Sequence, residues 1–175
     1  MFFNIYTYTW MSYSVIIGYA PYHIPIYENN AYYEKNYFVN KGKKGSKYAG
    51  FNYGKKYQCV ELVRRWLMHA RNITFPEVAA ATDIFKLTHG IDITTHENIP
   101  FKSIINDGEQ MPLFGDIIIW KKQGENKKYG HCAIVTKIIS PTIVTIAEQN
   151  GKAANGERNI IAQNQNILGW LRPDI

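Results

Sequence analysis

Beyond Pro112 the chain is a succession of short β-branched runs cut by turn residues, and this pattern limits the fold more than any other feature. Gly115-Asp116 leads into Ile117-Ile118-Ile119-Trp120, and a polar stretch from Lys121 to Gly130 separates that run from His131-Cys132-Ala133-Ile134-Val135. Ser140-Pro141 turns the chain into Ile143-Val144-Thr145-Ile146-Ala147-Glu148. Asn150-Gly151 is a strong turn signal, and Ile167-Leu168-Gly169-Trp170-Leu171 closes before Pro173. Such runs read as strands of an antiparallel sheet.

Upstream the period changes. Val60, Val63, Leu67 and Ala70 recur at three and four residues, with Arg64, Arg65 and Arg71 on other faces. This predicts an amphipathic helix of about three turns that begins at or just after Gln58. A second helix is expected after Pro76, running through Ala79, Ala80, Ile84, Phe85 and Leu87 to a stop at Gly90. Gly18-Tyr19-Ala20-Pro21 and Pro25 break any regular element, so residues 18 to 56 read as irregular surface chain pinned by buried tyrosines. Residues 1 to 16 form a Tyr/Thr-rich arm, and 17 to 175 a single domain. N-terminal helices packed on an antiparallel β-sheet make an α+β fold.

A chain of 175 residues can bury roughly 70% of its unfolded surface, so neither disulfides nor a structural metal are needed to hold it together. Its two cysteines are too few and too far apart for a disulfide framework or a zinc finger. One of them has a special position. Cys59 stands at the start of the predicted helix, where unpaired N–H groups and the helix dipole favour an anion and can acidify a thiol.

His131 opens a strand directly after Gly130, and alone among the five histidines it stands at the mouth of the sheet. Alternation along the strand directs Cys132 away from His131 into the core, which argues against a Cys59–Cys132 disulfide. Glu148 ends the next strand, and residues 148 and 150 share a face. Either Glu148 or Asn150 can accept the second ring N–H of His131 and fix its tautomer. A thiol, an imidazole and a carboxylate or amide from three distant positions are the parts of a nucleophilic triad. Gln58 can join the Cys59 main-chain N–H as an oxyanion donor.

Tyr57-Gln58-Cys59-Val60-Glu61-Leu62-Val63-Arg64-Arg65-Trp66 resembles the nucleophile helix of the CHAP amidohydrolase/peptidases, which have a papain-like fold. The strands around Gly115 to Trp120, Gly130 to Val135 and Ile146 to Asn150 resemble that family in order and spacing. Gly18-Tyr19-Ala20-Pro21, Ile26-Tyr27 and Ile167-Leu168-Gly169-Trp170 are most similar to the amidase domain of glutathionylspermidine synthetase/amidases. The resemblance implies hydrolysis of glutathionylspermidine, or a related glutathione or peptide conjugate of an amine, through a thioester on Cys59. It implies His131 as base and acid, Glu148 as its orienting partner and Gln58 in the oxyanion hole. It also assigns substrate contacts to Gln58, Arg64, Val78, Ala79, Ala80, Ala81 and Asn150.

No phosphate-cradling Gly-rich loop is present, and 175 residues leave no room for an ATP-grasp synthetase, so a stand-alone amidase is expected. The expected partner is a small molecule, with no cofactor, metal, nucleic acid or membrane. The first twenty residues lack the Lys or Arg of a signal peptide, and a cytoplasmic protein is expected.

Charge suggests two alternatives. Lys41, Lys43, Lys44, Lys47, Lys55 and Lys56 account for the net charge of +6, while the other residues balance at 14 bases against 14 acids. A basic surface suits a peptidoglycan amidase or endopeptidase of the wider CHAP group. With Tyr48, Phe51, Tyr53 and Tyr57 nearby, the Lys41 to Lys56 stretch also suits a non-catalytic polyanion-binding domain.

Overall fold

In the computed structural model, alternate residues of Ile117-Ile118-Ile119-Trp120 are buried on opposite faces of the sheet, which is why this run carries no polar residue. The structure describes residues 15–29, 47–48, 50–55 and 57–174. Most of the N-terminal arm, and Lys41, Lys43, Lys44 and Lys56 of the basic stretch, lie outside the described residues.

The strands in chain order are β1 (Ile16–Ala20), β2 (Ile24–Tyr27), β3 (Lys47–Tyr48), β4 (Phe51–Asn52), β5 (Ile73–Thr74), β6 (His89–Asp92), β7 (Asn98–Ile105), β8 (Ile117–Trp120), β9 (His131–Ile138), β10 (Ile143–Ala147), β11 (Glu157–Ile161) and β12 (Ile167–Pro173). Helix α1 spans Cys59–Arg71. Eight strands form one antiparallel sheet in the order β11-β10-β9-β8-β12-β7-β6-β5, while β1-β2 and β3-β4 are separate hairpins. The fold is therefore α+β.

Helix α1 lies where the periodicity places it. Gln58 caps it in an extended conformation, and its carbonyl accepts the Glu61 and Leu62 N–H groups. Asn72 ends it in the left-handed conformation that asparagine tolerates, donating its N–H to the Leu67 carbonyl. Leu62, Val63, Trp66 and Leu67 are fully buried against Ile117, Ile119, Cys132, Ile134 and Leu171. Each such side chain contributes about 1.5–3 kcal/mol on removal from water. Ile118, Trp120, Ala133, Val135, Val144, Ile146, Ile160 and Trp170 build a second cluster on the opposite face.

Three expectations are corrected. Among the described residues the expected N-terminal helices reduce to one α-helix, because the second predicted helix is a six-residue 3-10 turn over Ala81–Lys86. Ala80 stays extended while its N–H is taken by the Asp83 carboxylate, and the Thr82 N–H goes to the Tyr129 carbonyl. The first bond closes the turn on itself, the second ties it to the loop that leads into β9, and Leu87, already extended, ends it after six residues; Gly90, read as a stop, lies inside β6.

Residues 16–27 form a hairpin where irregular chain was expected, turning through Tyr22 and His23 at φ 68° and 56°. Finally, Arg64 and Arg65, placed by the periodicity off the apolar face, are buried all the same, at 3% and 6% exposed. Among the described residues no helix is long and apolar enough to cross a membrane.

Candidate active site

The N-terminus of α1 meets the start of β9, and this junction joins Cys59 to His131. The pleat turns Cys132 toward α1 and His131 toward the Trp120 face. Because His131 is the first residue of its strand, its ring stands at the rim of the sheet, near enough to Cys59 for the two groups to shift each other's titration. Gly130 makes this possible: at φ +71° it passes so close to Thr82 and the Trp120 carbonyl that a Cβ has no room.

His131 Nε2 lies 2.9 Å from Glu148 Oε2, which leaves Nδ1 for Cys59. The ring also packs on Trp120, with centroids 5.3 Å apart. All three polar groups are buried, with Cys59 8%, His131 6% and Glu148 1% exposed.

Glu148 is held on every side. Its Oε1 accepts the main-chain N–H groups of Lys152 at 2.8 Å and Ala153 at 2.9 Å, together with Arg158 Nε at 2.6 Å. Arg158 Nη2 reaches Oε2 at 3.1 Å, and the guanidinium lies over Trp120 at 5.8 Å. Gly151 closes over the carboxylate so tightly that a Cβ there would collide with it.

Burial alone would raise the Glu148 carboxyl, but the hydrogen bonds of His131 and Arg158 and their charges hold it far below the usual carboxylate range. Burial alone would depress His131, yet the hydrogen bonds and charges of Cys59 and Glu148 push it up to about 9.

The Cys59 thiol is drawn well below its ordinary value. The largest cause is a hydrogen bond with Cys132; burial opposes it, and the hydrogen bond and charge of His131 add to it. Burial, with the adjoining Cys59 charge, drives Cys132 the other way, so it stays a neutral donor. Cys132 is in the core as expected, but on the Cys59 side, and both cysteines are free. The arrangement supports a thiolate–imidazolium pair near neutral pH.

Gln58 is fixed by its main chain: its N–H goes to the Lys55 carbonyl at 3.0 Å and its carbonyl accepts Gln149 Nε2 at 3.1 Å. Its side-chain Oε1 accepts Asn150 Nδ2 at 2.9 Å. The structure thus brings Glu148, not Asn150, to the His131 ring.

Arg64 is enclosed, with Nη1 on the Tyr53 carbonyl and Nη2 on the Pro76 carbonyl, both at 3.0 Å, and its guanidinium 4.5 Å over the Phe75 ring. It ties the chain before α1 to the segment that carries Val78, Ala79, Ala80 and Ala81. That segment runs beside Gly130 through the Thr82–Tyr129 bond. Ala79 is exposed and Ala80 and Ala81 are buried.

Arg158, Gln149 and Trp120 were not singled out in the sequence. Asn150-Gly151 signals a tight hairpin, which would pair Gln149 with Lys152. The actual loop is longer, closing with the Glu148 N–H on the Gly156 carbonyl at 2.8 Å and bringing Arg158 opposite Ile146. Among the described residues no three His, Cys, Asp or Glu side chains form a metal-ligating group.

The CHAP domain model matches residues 48–150, which include Cys59, His131 and Glu148. The chain belongs to the CHAP domain family. As a CHAP domain it is 35% identical over 133 residues to the trypanothione synthetase of Crithidia fasciculata, covering 76% of this chain and 19% of that protein. It is 28% identical over 179 residues to the bifunctional glutathionylspermidine synthetase/amidase of Escherichia coli, covering 91% of this chain and 29% of that one. The CHAP chain therefore spans less than a third of the length of these relatives.

Proposed function

We propose that this protein is a cysteine amidase that cleaves glutathionylspermidine, or a closely related amide of glutathione with an amine, to glutathione and the free amine. The observation that carries this reading is the buried Cys59–His131–Glu148 arrangement in a CHAP chain similar to a glutathionylspermidine synthetase/amidase.

The Cys59 thiolate attacks the glycyl carbonyl carbon, and the oxygen becomes an oxyanion that receives the Gln58 amide N–H2 and the Cys59 N–H. His131 Nδ1 gives its proton to the amine nitrogen as the C–N bond breaks, leaving a thioester on Cys59. The neutral ring then takes a proton from water as its oxygen attacks the thioester. The carbon–sulfur bond breaks, the carboxylic acid departs and ionises, and the thiolate–imidazolium pair is restored. Glu148 holds Nε2 throughout. Arg64, with Val78 to Ala81, shapes the wall that receives the glutathionyl part.

Purified protein incubated with glutathionylspermidine is expected to release spermidine and glutathione, followed by mass spectrometry, and Cys59→Ala is expected to release neither. Inactive wild type that instead frees peptides from cell walls would replace this reading with a peptidoglycan hydrolase. Hydrolysis of neither substrate, with salt-sensitive nucleic-acid binding that survives Cys59→Ala, would favour a polyanion-binding domain.

A further inference from the structure

Gln58 enters the proposed chemistry only if its N–H2 end, not its carbonyl, faces the oxyanion. Its main chain is locked at both ends, and among the described residues its side chain makes one hydrogen bond, from Asn150 Nδ2 to Oε1 at 2.9 Å. An amide is planar with its acceptor and donor on opposite edges, so holding Oε1 commits the N–H2 to the other side. Asn150 is suited to the task by its own backbone. It lies at φ 56°, a conformation asparagine adopts at low cost, two residues beyond Glu148 at the start of the loop that wraps that carboxylate.

We infer that Asn150 is a positioning residue that sets the orientation of the Gln58 amide and so assembles the oxyanion hole. This rests on the reading of Cys59 as nucleophile, and it gives Asn150 a role apart from contacting substrate. Glu148 and Asn150 then divide the work of one strand end, the first orienting the imidazole and the second the oxyanion donor.

Asn150→Asp tests it, because the two side chains have the same shape but aspartate only accepts. Gln58 must then turn its N–H2 toward residue 150 and present its carbonyl to the oxyanion. Two substrates separate the roles: glutathionylspermidine, and p-nitrophenyl acetate, whose acetyl group has no glutathionyl part to contact. Asn150→Asp is expected to lower kcat for the amide about 100-fold with KM within about twofold. Acylation by p-nitrophenyl acetate should fall by a similar factor, while alkylation by iodoacetamide on its pH-independent plateau, which forms no oxyanion, should be unchanged. In a Gln58→Ala background the same substitution should add little, which separates the amide flip from the effect of the added charge.

A rise in KM with kcat and p-nitrophenyl acetate acylation intact would overturn the inference and make Asn150 a substrate contact. A full Asn150→Asp loss that persists in Gln58→Ala would also overturn it. Wild type that ignores glutathionylspermidine but still loses p-nitrophenyl acetate acylation on Asn150→Asp would sink the substrate assignment and leave this inference standing.

Discussion

Glu61 and Glu148 are both buried carboxylates held by an arginine, yet one braces the frame of the molecule and the other, in the proposed mechanism, serves its chemistry. Glu61 pairs with Arg65 through two hydrogen bonds, at 2.7 and 3.2 Å, one turn apart on α1. Gln149 joins them at 2.7 Å, and through the Pro25 carbonyl and the Tyr27 N–H the network holds the β1-β2 hairpin against the helix. The partners of that carboxylate are a guanidinium and a side-chain amide, with no imidazole among them.

Glu148, next to Gln149 in sequence, makes five hydrogen bonds against the three of Glu61, and one of them goes to an imidazole that gains and loses a proton. The same carboxylate–guanidinium pair therefore serves as a strut in one place and as an electrostatic anchor for a titrating group in the other. Alternation at the end of β10 sends neighbouring residues to these separate tasks.

The largest effect should come from replacing the carboxylate that faces the ring. Glu148→Gln is expected to lower kcat about 10³- to 10⁴-fold, as the imidazole loses both its orientation and the countercharge for its protonated form. Equal losses of kcat in Glu148→Gln and Glu61→Gln, at equal folded fractions, would break the distinction between the two pairs. Glu61→Gln should act on stability instead, because it leaves Arg65 charged and buried without its counterion. Urea unfolding should show a loss of about 3–5 kcal/mol.

Arg158→Gln should fall between these. Both charge-assisted bonds to Glu148 are lost while those from Lys152, Ala153 and His131 remain, and kcat is expected to fall about 10-fold. The pH profile sharpens the point. Activity through a thiolate–imidazolium pair is expected to extend below pH 7, since the thiol is acidified, and to decline as pH rises through about 9, where His131 releases its proton. Removing the Arg158 cation leaves more of the Glu148 charge acting on the ring, so the alkaline limb should move to higher pH. A limb that moves down would contradict the anchor role.

The smallest change is expected from Cys132→Ala, which removes a hydrogen-bond donor from the thiolate. The pH at which iodoacetamide labels Cys59 should rise, with little effect on the alkaline limb of turnover.

Helix α1 and the junction at Cys59 were legible because each is local: four apolar residues at helical spacing, a capping residue and a glycine before a histidine-led strand. Long-range partners were not. The burial of Arg64 and Arg65 was hidden because the carbonyls that hold them belong to Tyr53, Pro76 and Pro25. The β1-β2 hairpin was hidden because Tyr22 and His23, not glycine or asparagine, occupy its left-handed turn positions. Arg158 was missed because a long loop stands where the sequence signals a tight one, so its register against Ile146 could not be counted. The apolar pattern after Pro76 suits an α-helix or a 3-10 turn alike, and Leu87, extended in the structure, holds the segment to six residues.

Trapping the acyl-enzyme tests the central claim most directly. Protein mixed with glutathionylspermidine, quenched in acid within the first turnover and digested, should carry a glutathionyl acyl group on the peptide containing Cys59, and Cys59→Ala should carry none. An adduct on another residue, or free spermidine appearing at the wild-type rate from Cys59→Ala, would contradict it.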